Sequence, residues 1–537
     1  MKISKSNKRI ILASALALLV SANVYAQEVS VELKQPQESE STIEINLGKN
    51  KINSDLIKLI TLEGMTSTQS VDNTILGKNS FAKYFLSGDD KFAQSNITAA
   101  YNDYTKAVAA SDDNDFQALL VAYKLANIGF FTLSQHAINQ IDDVQLYKSQ
   151  TDAMKQLFYP SVALSYDEEI LLAEMYADIY YNNLSKEITR ELSRHHGLLK
   201  KSDYANYIMA QAYFEAGEFH KALNAINRAL NIKKNSPFYM QYKAKILCET
   251  KDYAQALKIL TKIQESGYTI EKFRNNVEIQ KEFTLSYATK DTAKAKYHLA
   301  KYFFLIGEYN RALKEVSASI SAKKKNYEAY ALAGIIQTKI GEHSKAKESL
   351  NKSLTYNKKY SPAYVGLGYL EKLTGTYENV LSYFNQALKY DKNNLVMSIE
   401  LAKLLNLVGN EIRAKEICSN LILKYPDSSE LFYALSEIYP QNQYEYLRQS
   451  LSLNAFNNDA WIDFAELNLY QNGVEQAEKY LKAVKVTDKE NYKYYYVEGL
   501  INKQLGDYTS AGVSFKKSLK LNPNYTPAQK ELNTLHL

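Results

Sequence analysis

The chain has 537 residues and a formal net charge of +6, with only 8 Pro and 19 Gly against 44 Tyr. At about 150 residues per domain its length suggests roughly three domains. So modest a charge, without a concentrated basic stripe, argues against a protein dedicated to wrapping nucleic acid.

Residues 1–26 read as an address rather than as structure. Lys2, Lys5, Lys8 and Arg9 make a positive start, Ile10 to Ala22 an apolar run, and Val24-Tyr25-Ala26 a small-x-small cleavage site. The run is shorter than the about 20 helical residues that span a bilayer. A cleaved bacterial-type secretory signal is expected, with an uncleaved anchor as the alternative. The mature chain from Gln27 is then periplasmic or secreted, and no later segment reaches membrane-spanning length. Between residues 27 and 80, Val29 to Leu33 and Thr42 to Leu47 alternate at period two around a polar stretch. That pattern reads either as a short hairpin or as an irregular polar linker, and the composition favours the linker.

Helical periodicity takes over at Phe81. One unit starts there and a second at Asp115, after which the register slips. Tyr159-Pro160 is expected to break a helix, and a degenerate unit near Tyr166 lacks a turn glycine. The pattern recovers at Asp203 and Pro237 and is interrupted over residues 271–292, a stretch read as one extra helix. A clean array follows over 293–525, with units near Ala293, Tyr327, Ser361, Leu395, Ser429, Asn458 and Tyr492. Residues 526–537 are expected to form a capping helix. The boundaries implied are 81–270, 271–292, 293–525 and 526–537.

The clean array shows the unit best. Gly307-Glu308-Tyr309, Gly341-Glu342-His343 and Gly375-Thr376-Tyr377 recur at a spacing of 34 residues, each between two periodic apolar segments. Twelve glycines, Gly88, Gly129 and Gly217 among them, occupy turn or close-packing positions of this pattern. It resembles the tetratricopeptide repeat family, with its helix-turn-helix unit of 34 residues. The resemblance implies an all-α protein, an α-solenoid of stacked antiparallel helix pairs in which each pair packs against its neighbours. Trp461 falls where the family often has a large core residue. Cys248 and Cys418 fall about five repeats apart, so two buried free thiols are expected.

No constellation for catalysis is present. The seven histidines are scattered, and the adjacent pair His195-His196 points in directions about 100° apart on a helix, unlike metal ligands at three- or four-residue spacing. Gly366-Leu367-Gly368 superficially opens a dinucleotide loop, yet no strand precedes it. The expectation is a protein that is not an enzyme and holds no cofactor and no metal.

In the resembling family the first helix of each pair lines the concave face, where an extended peptide lies. Carried onto this chain, the groove positions are Tyr207, Gln211, Phe214, Lys245, Tyr297, Lys301, Phe304, Tyr369, Lys372, Ile399, Lys403, Asn406, Glu437 and Glu466. The lysines suggest a basic middle, and the two glutamates an acidic stretch toward the C-terminus. The carboxylate clamp of the chaperone-binding members is absent. The resulting expectation is an exported scaffold that binds a protein or extended peptide and supports assembly or secretion of an envelope component. The alternatives are a carbohydrate-binding component of polysaccharide export and, less favoured, an unrecognised enzyme.

Overall fold

The computed structural model describes residues 80–111, 114–266, 271–487 and 491–535. Residues 1–26, the alternating runs before residue 80 and His536 lie outside the described residues. Those described form 28 α-helices, one π turn at Asp178–Asn182 and one 3-10 turn at Pro440–Asn442, with no strand among them. The protein is all-α, and its helices pair as the two arms of successive hairpins.

Local sequence explains where each helix starts and stops. First helices begin at Tyr327, Ser361, Leu395 and Ser429. Most first helices are preceded by a polar residue whose side chain accepts an N–H of the first turn, as Asn326 does from Ala329, Asn394 from Met397 and Ser428 from Leu431. Such a cap satisfies one of the amides that a helix start leaves without a partner. At the other end Gly341, with φ +81°, lets the N–H groups of Gly341 and Glu342 return to Thr338 O and Gln337 O. Lys251 makes the same turn at φ +65° without being a glycine, bonding Cys248 O while Asp252 bonds Leu247 O. Tyr159, just before Pro160, is extended and ends the helix Val144–Phe158. In the unit without a turn glycine, the chain passes through the π turn and then through Asn183 in the left-handed region.

Within a hairpin the two helices close on small residues. Ala312, Ala346 and Ala414 on second helices are fully buried. Gly334, Gly368 and Gly499 on first helices lie against Leu350, Phe384 and Phe515. The Gly366-Leu367-Gly368 stretch is thus part of a packed helix, Ser361–Thr374.

The described helices divide into two compact units, one of residues 235–454, the other combining residues up to 234 with those from 455 on. The divisions fall near 234 and 454. The stretch read as one extra helix forms Glu271–Ala288, which packs on both Tyr253–Glu265 and Thr292–Leu305 and so continues the stack. Both thiols are free and lie in the first unit. Cys418 is buried, whereas Cys248 is only half-buried and shares a hydrogen bond with the Thr284 hydroxyl.

Candidate functional site: the first-helix face

In the unit of residues 235–454, first helices of successive hairpins touch one another, as Thr292–Leu305 touches Tyr327–Lys339 and Leu395–Leu407 touches Ser429–Ile438. Second helices do not approach each other to that extent, so the first helices lie on the inner side of the stack. Ten of the fourteen groove positions fall in this unit. Tyr297, Phe304, Tyr369 and Asn406 are half-buried on it, with Tyr369 edge-on to Phe384. Ile399 is buried in the core among Leu401, Leu405 and Leu431 and offers no surface to a ligand.

The lysines of this face are engaged within the chain. Lys301 Nζ lies 2.5 Å from Glu282, whose second oxygen is 2.7 Å from His298 Nδ1. Burial works against ionisation of Glu282, yet the bond from His298 and the charge of Lys301 hold it below the usual carboxylate range. Lys372 is 3.1 Å from Glu400, and Lys403 is 2.6 Å from Glu437 and 5.2 Å from the Tyr433 ring centre. Lys245 stands 5.4 Å from the Tyr242 ring centre. The basic middle suggested by the sequence is therefore largely neutralised, and Glu437 is one of the groups that neutralise it.

The other four positions fall in the second unit. Tyr207 and Gln211 are buried, Tyr207 packing against Tyr204, and they present no open surface. Phe214 is half-buried against Phe219. Glu466 has a different setting. It sits on the first helix Asn458–Gln471, which touches the next first helix, Tyr492–Gln504. Neighbouring charges there are matched: Lys493 is 3.8 Å from Asp463 and Lys503 is 2.6 Å from Glu531. Glu466 is half-buried, and among the described residues no hydrogen bond or ion pair reaches its carboxylate. Burial first, and the nearby Asp463 second, push it up to about 7. Its charge in turn raises the hydroxyls of Tyr470, Tyr496 and Tyr525, after burial as the larger cause. Tyr496 and Tyr525 meet edge to face at 5.3 Å, and Tyr470 is 67% exposed.

The second unit also holds a contact that the repeat pattern does not announce. Trp461, at the start of the hairpin containing Glu466, is stacked between Tyr147 at 6.2 Å and Tyr480 at 5.6 Å, with Phe116 at its edge. Phe456 packs edge-on to Phe116 and Tyr123, and Asn114 Nδ2 donates to Lys479 O at 3.3 Å. Hairpins more than 300 residues apart in sequence thus pack together, and the expectation that each pair contacts only its neighbours fails here. A cavity of about 160 Å³ lies at this seam, between Asp115, Asp142, Tyr147, Trp461, Lys479 and Tyr480. Spacing alone misses the seam; the signal available was the run of aromatics at Phe116, Tyr123 and Tyr147 on a unit already covered by its own partner helix.

Among the described residues no group of three or more His, Cys, Asp or Glu is placed to hold a metal ion, and no helix is long and apolar enough to cross a membrane. His195 and His196 sit where the helix Ser185–Arg194 gives way to His196–Lys201.

Among the described residues the fold is that of a helical repeat whose first helices meet on its inner side. Residues 327–360, 361–394 and 492–525 each match the family model described as tetratricopeptide repeat. Residues 165–263 match that of the anaphase-promoting complex, cyclosome, subunit 3. Over the residues matched, the repeat unit is that of the tetratricopeptide repeat family. No curated protein matches the chain. Among solved structures it is similar to the anaphase-promoting-complex hetero-tetramer Cut9-Hcn1, at 14% identity and TM-score 0.38 over 86% of this chain and 97% of that one. It is also similar to yeast Tom70, at 14% identity and TM-score 0.36 over 72% and 96%. A third is YrrB, titled a TPR protein with an unusual peptide-binding site, at 16% identity and TM-score 0.23 over 40% and 96%.

Proposed function

We propose that the protein is a non-catalytic, exported scaffold that holds an extended segment of a partner protein on its first-helix face, in support of assembly or secretion of an envelope component. The observation that carries this reading is the row of half-buried aromatic side chains, Tyr297, Phe304 and Tyr369, on the inner helices. Rigid rings interspersed with ion pairs suit a partner with apolar anchors at little cost in side-chain entropy. Since the lysines are already paired, salt is expected to weaken binding less than an open basic groove would require.

The test is capture of partners from an envelope fraction by the full-length chain and by a Tyr297→Ser, Tyr369→Ser variant that keeps the wild-type helical signal. A partner retained by the wild type and released by the variant supports the reading; equal retention places binding elsewhere. Export is tested separately by fractionation with N-terminal sequencing, with Gln27 as the expected first residue. A second reading, carbohydrate binding, is favoured by the tyrosines around Glu466. It predicts retention of the chain on neutral glycan resins.

A further inference from the structure

Of the charged groove positions, Glu466 alone has neither an ion pair nor a cation-ring contact among the described residues. Of the lysines on the following helix, Lys493 acts on Glu466 by its charge but lies 3.8 Å from Asp463, and Lys503 lies 2.6 Å from Glu531. A half-buried carboxylate without a donor is costly unless a ligand supplies one. Its surroundings add a second requirement. Tyr496 and Tyr525, which meet edge to face, lie close enough for the charge of Glu466 to act on their hydroxyls, and Tyr470, about one turn further along the helix Asn458–Gln471, stands largely in solvent. An exposed aromatic face near a carboxyl group that has no donor is complementary to a flat cation, which stacks on the ring and donates to the acid at once.

From this geometry we propose that Glu466, Tyr470, Tyr496 and Tyr525 form a pocket for a basic side chain, arginine above lysine, of an extended peptide lying on the C-terminal first helices. The inference rests on the peptide-scaffold reading above and makes it specific: the partner's recognised segment carries a positive charge where these repeats hold it. The incoming guanidinium takes the role that Lys403 plays for Glu437 in the other unit, where donor and carboxylate both belong to the chain. Binding at this pocket should favour the ionised form of Glu466, because the charge of the bound cation offsets the penalty of burial.

The test pans a random library of 12-residue displayed peptides on the full-length chain and then on two variants, Glu466→Gln and Tyr470→Ala. Gln keeps the shape of the side chain and removes only its charge, while Tyr470 is exposed enough to be truncated without opening the core; far-UV circular dichroism confirms that both fold. The expected result is enrichment of peptides with an arginine at a fixed position, a loss of about tenfold or more in affinity with Glu466→Gln, and a smaller loss with Tyr470→Ala. Lysine in place of that arginine should bind more weakly. If peptides are enriched without a basic residue, or if Glu466→Gln holds them equally well, the scaffold reading stands and the basic-pocket inference is overturned. If no peptide is enriched, saturation-transfer NMR with butylguanidinium decides. Transfer that disappears in Glu466→Gln supports the pocket, while no transfer, or transfer only from a neutral probe such as cellotetraose, overturns it.

Discussion

Replacing Gly368 by Ala tests a close helix approach in the 235–454 unit. Built on the native backbone, the added Cβ falls 2.5 Å from Phe384 Cδ1 and nearer still to Cε1, where carbon atoms normally rest about 3.5 to 4.0 Å apart. The ring has little room to retreat. Phe384 is 1% exposed, lies edge-on to Tyr369 at 5.6 Å and belongs to the core with Val380, Ala402 and Leu405. The helix therefore has to lift from its partner or the ring leave its rotamer, at about 1 to 3 kcal/mol. Against this stands the gain of about 1 kcal/mol for Ala over Gly within a helix. A net loss of about 1 to 2 kcal/mol is expected. Gly197→Ala is the control, since nothing lies within 4 Å of a Cβ there and only the propensity gain remains. Urea unfolding followed by circular dichroism measures both. Adding Phe384→Leu to Gly368→Ala should recover part of the loss by freeing the ring's volume. The reasoning would be refuted by a Gly368→Ala variant as stable as Gly197→Ala, because the helices would then not be in contact at this residue.

Other outcomes follow from the same structure. Glu169 is buried, accepts from the Thr132 amide and hydroxyl, and is pushed up by burial to about 7 from an ordinary value of 4.5. The folded state binds this proton more readily than the unfolded one. Its contribution is therefore present in full below about pH 4.5 and lost as pH rises through 7, by up to about 3 kcal/mol. Melting temperatures between pH 5 and 8 should fall with rising pH in the wild type and fall less steeply in Glu169→Gln. Lys301→Ala should cost about 1 to 3 kcal/mol, because it removes the lysine partner of buried Glu282 and leaves the bond with His298. Lys403→Ala, whose Glu437 partner is exposed, should stay within about 1 kcal/mol; equal losses in denaturant titrations would show that burial does not rank the two pairs. Trp461 is the only tryptophan, so its fluorescence reports on the seam. Phe116→Ala should lower the unfolding free energy read by that fluorescence by an amount typical of a large-to-small core change, about 3 to 5 kcal/mol, and an unchanged value would place Phe116 and Trp461 apart.

Much of the fold was legible because a repeat writes the same local physics several times. Turn residues such as Gly307, Gly341, Gly409 and Gly506 take a left-handed conformation, and small residues at fixed offsets meet large ones across the hairpin. What the pattern hid was of two kinds. Some residues solve a local problem with the wrong-looking amino acid: Asn183 and Lys251 turn without glycine, while Gly375, at a turn position, has φ −128° and needs no left-handed backbone. Other properties depend on a second element. Whether Lys403 is an open charge was undecidable without knowing that Glu437 on the next first helix reaches it. Tyr207, Gln211 and Ile399 occupy groove positions by register, yet neighbouring side chains cover them. Glu466 stood out only once its neighbours proved to be paired with each other.

The seam at Trp461 bears on how the protein is made. A simple stack of repeats can settle each hairpin as it leaves the ribosome, because every surface is covered by the next few dozen residues. Here Phe116, Tyr123 and Tyr147 wait for Phe456 and Trp461. At about 5 to 20 residues per second, the more than 300 residues between them take on the order of 15 to 60 seconds to synthesise. For that interval a patch of aromatic rings belonging to an otherwise formed segment is without its cover. Nascent chains arrested before residue 455 should expose it to chaperones and to one another, and chains released after residue 480 should not.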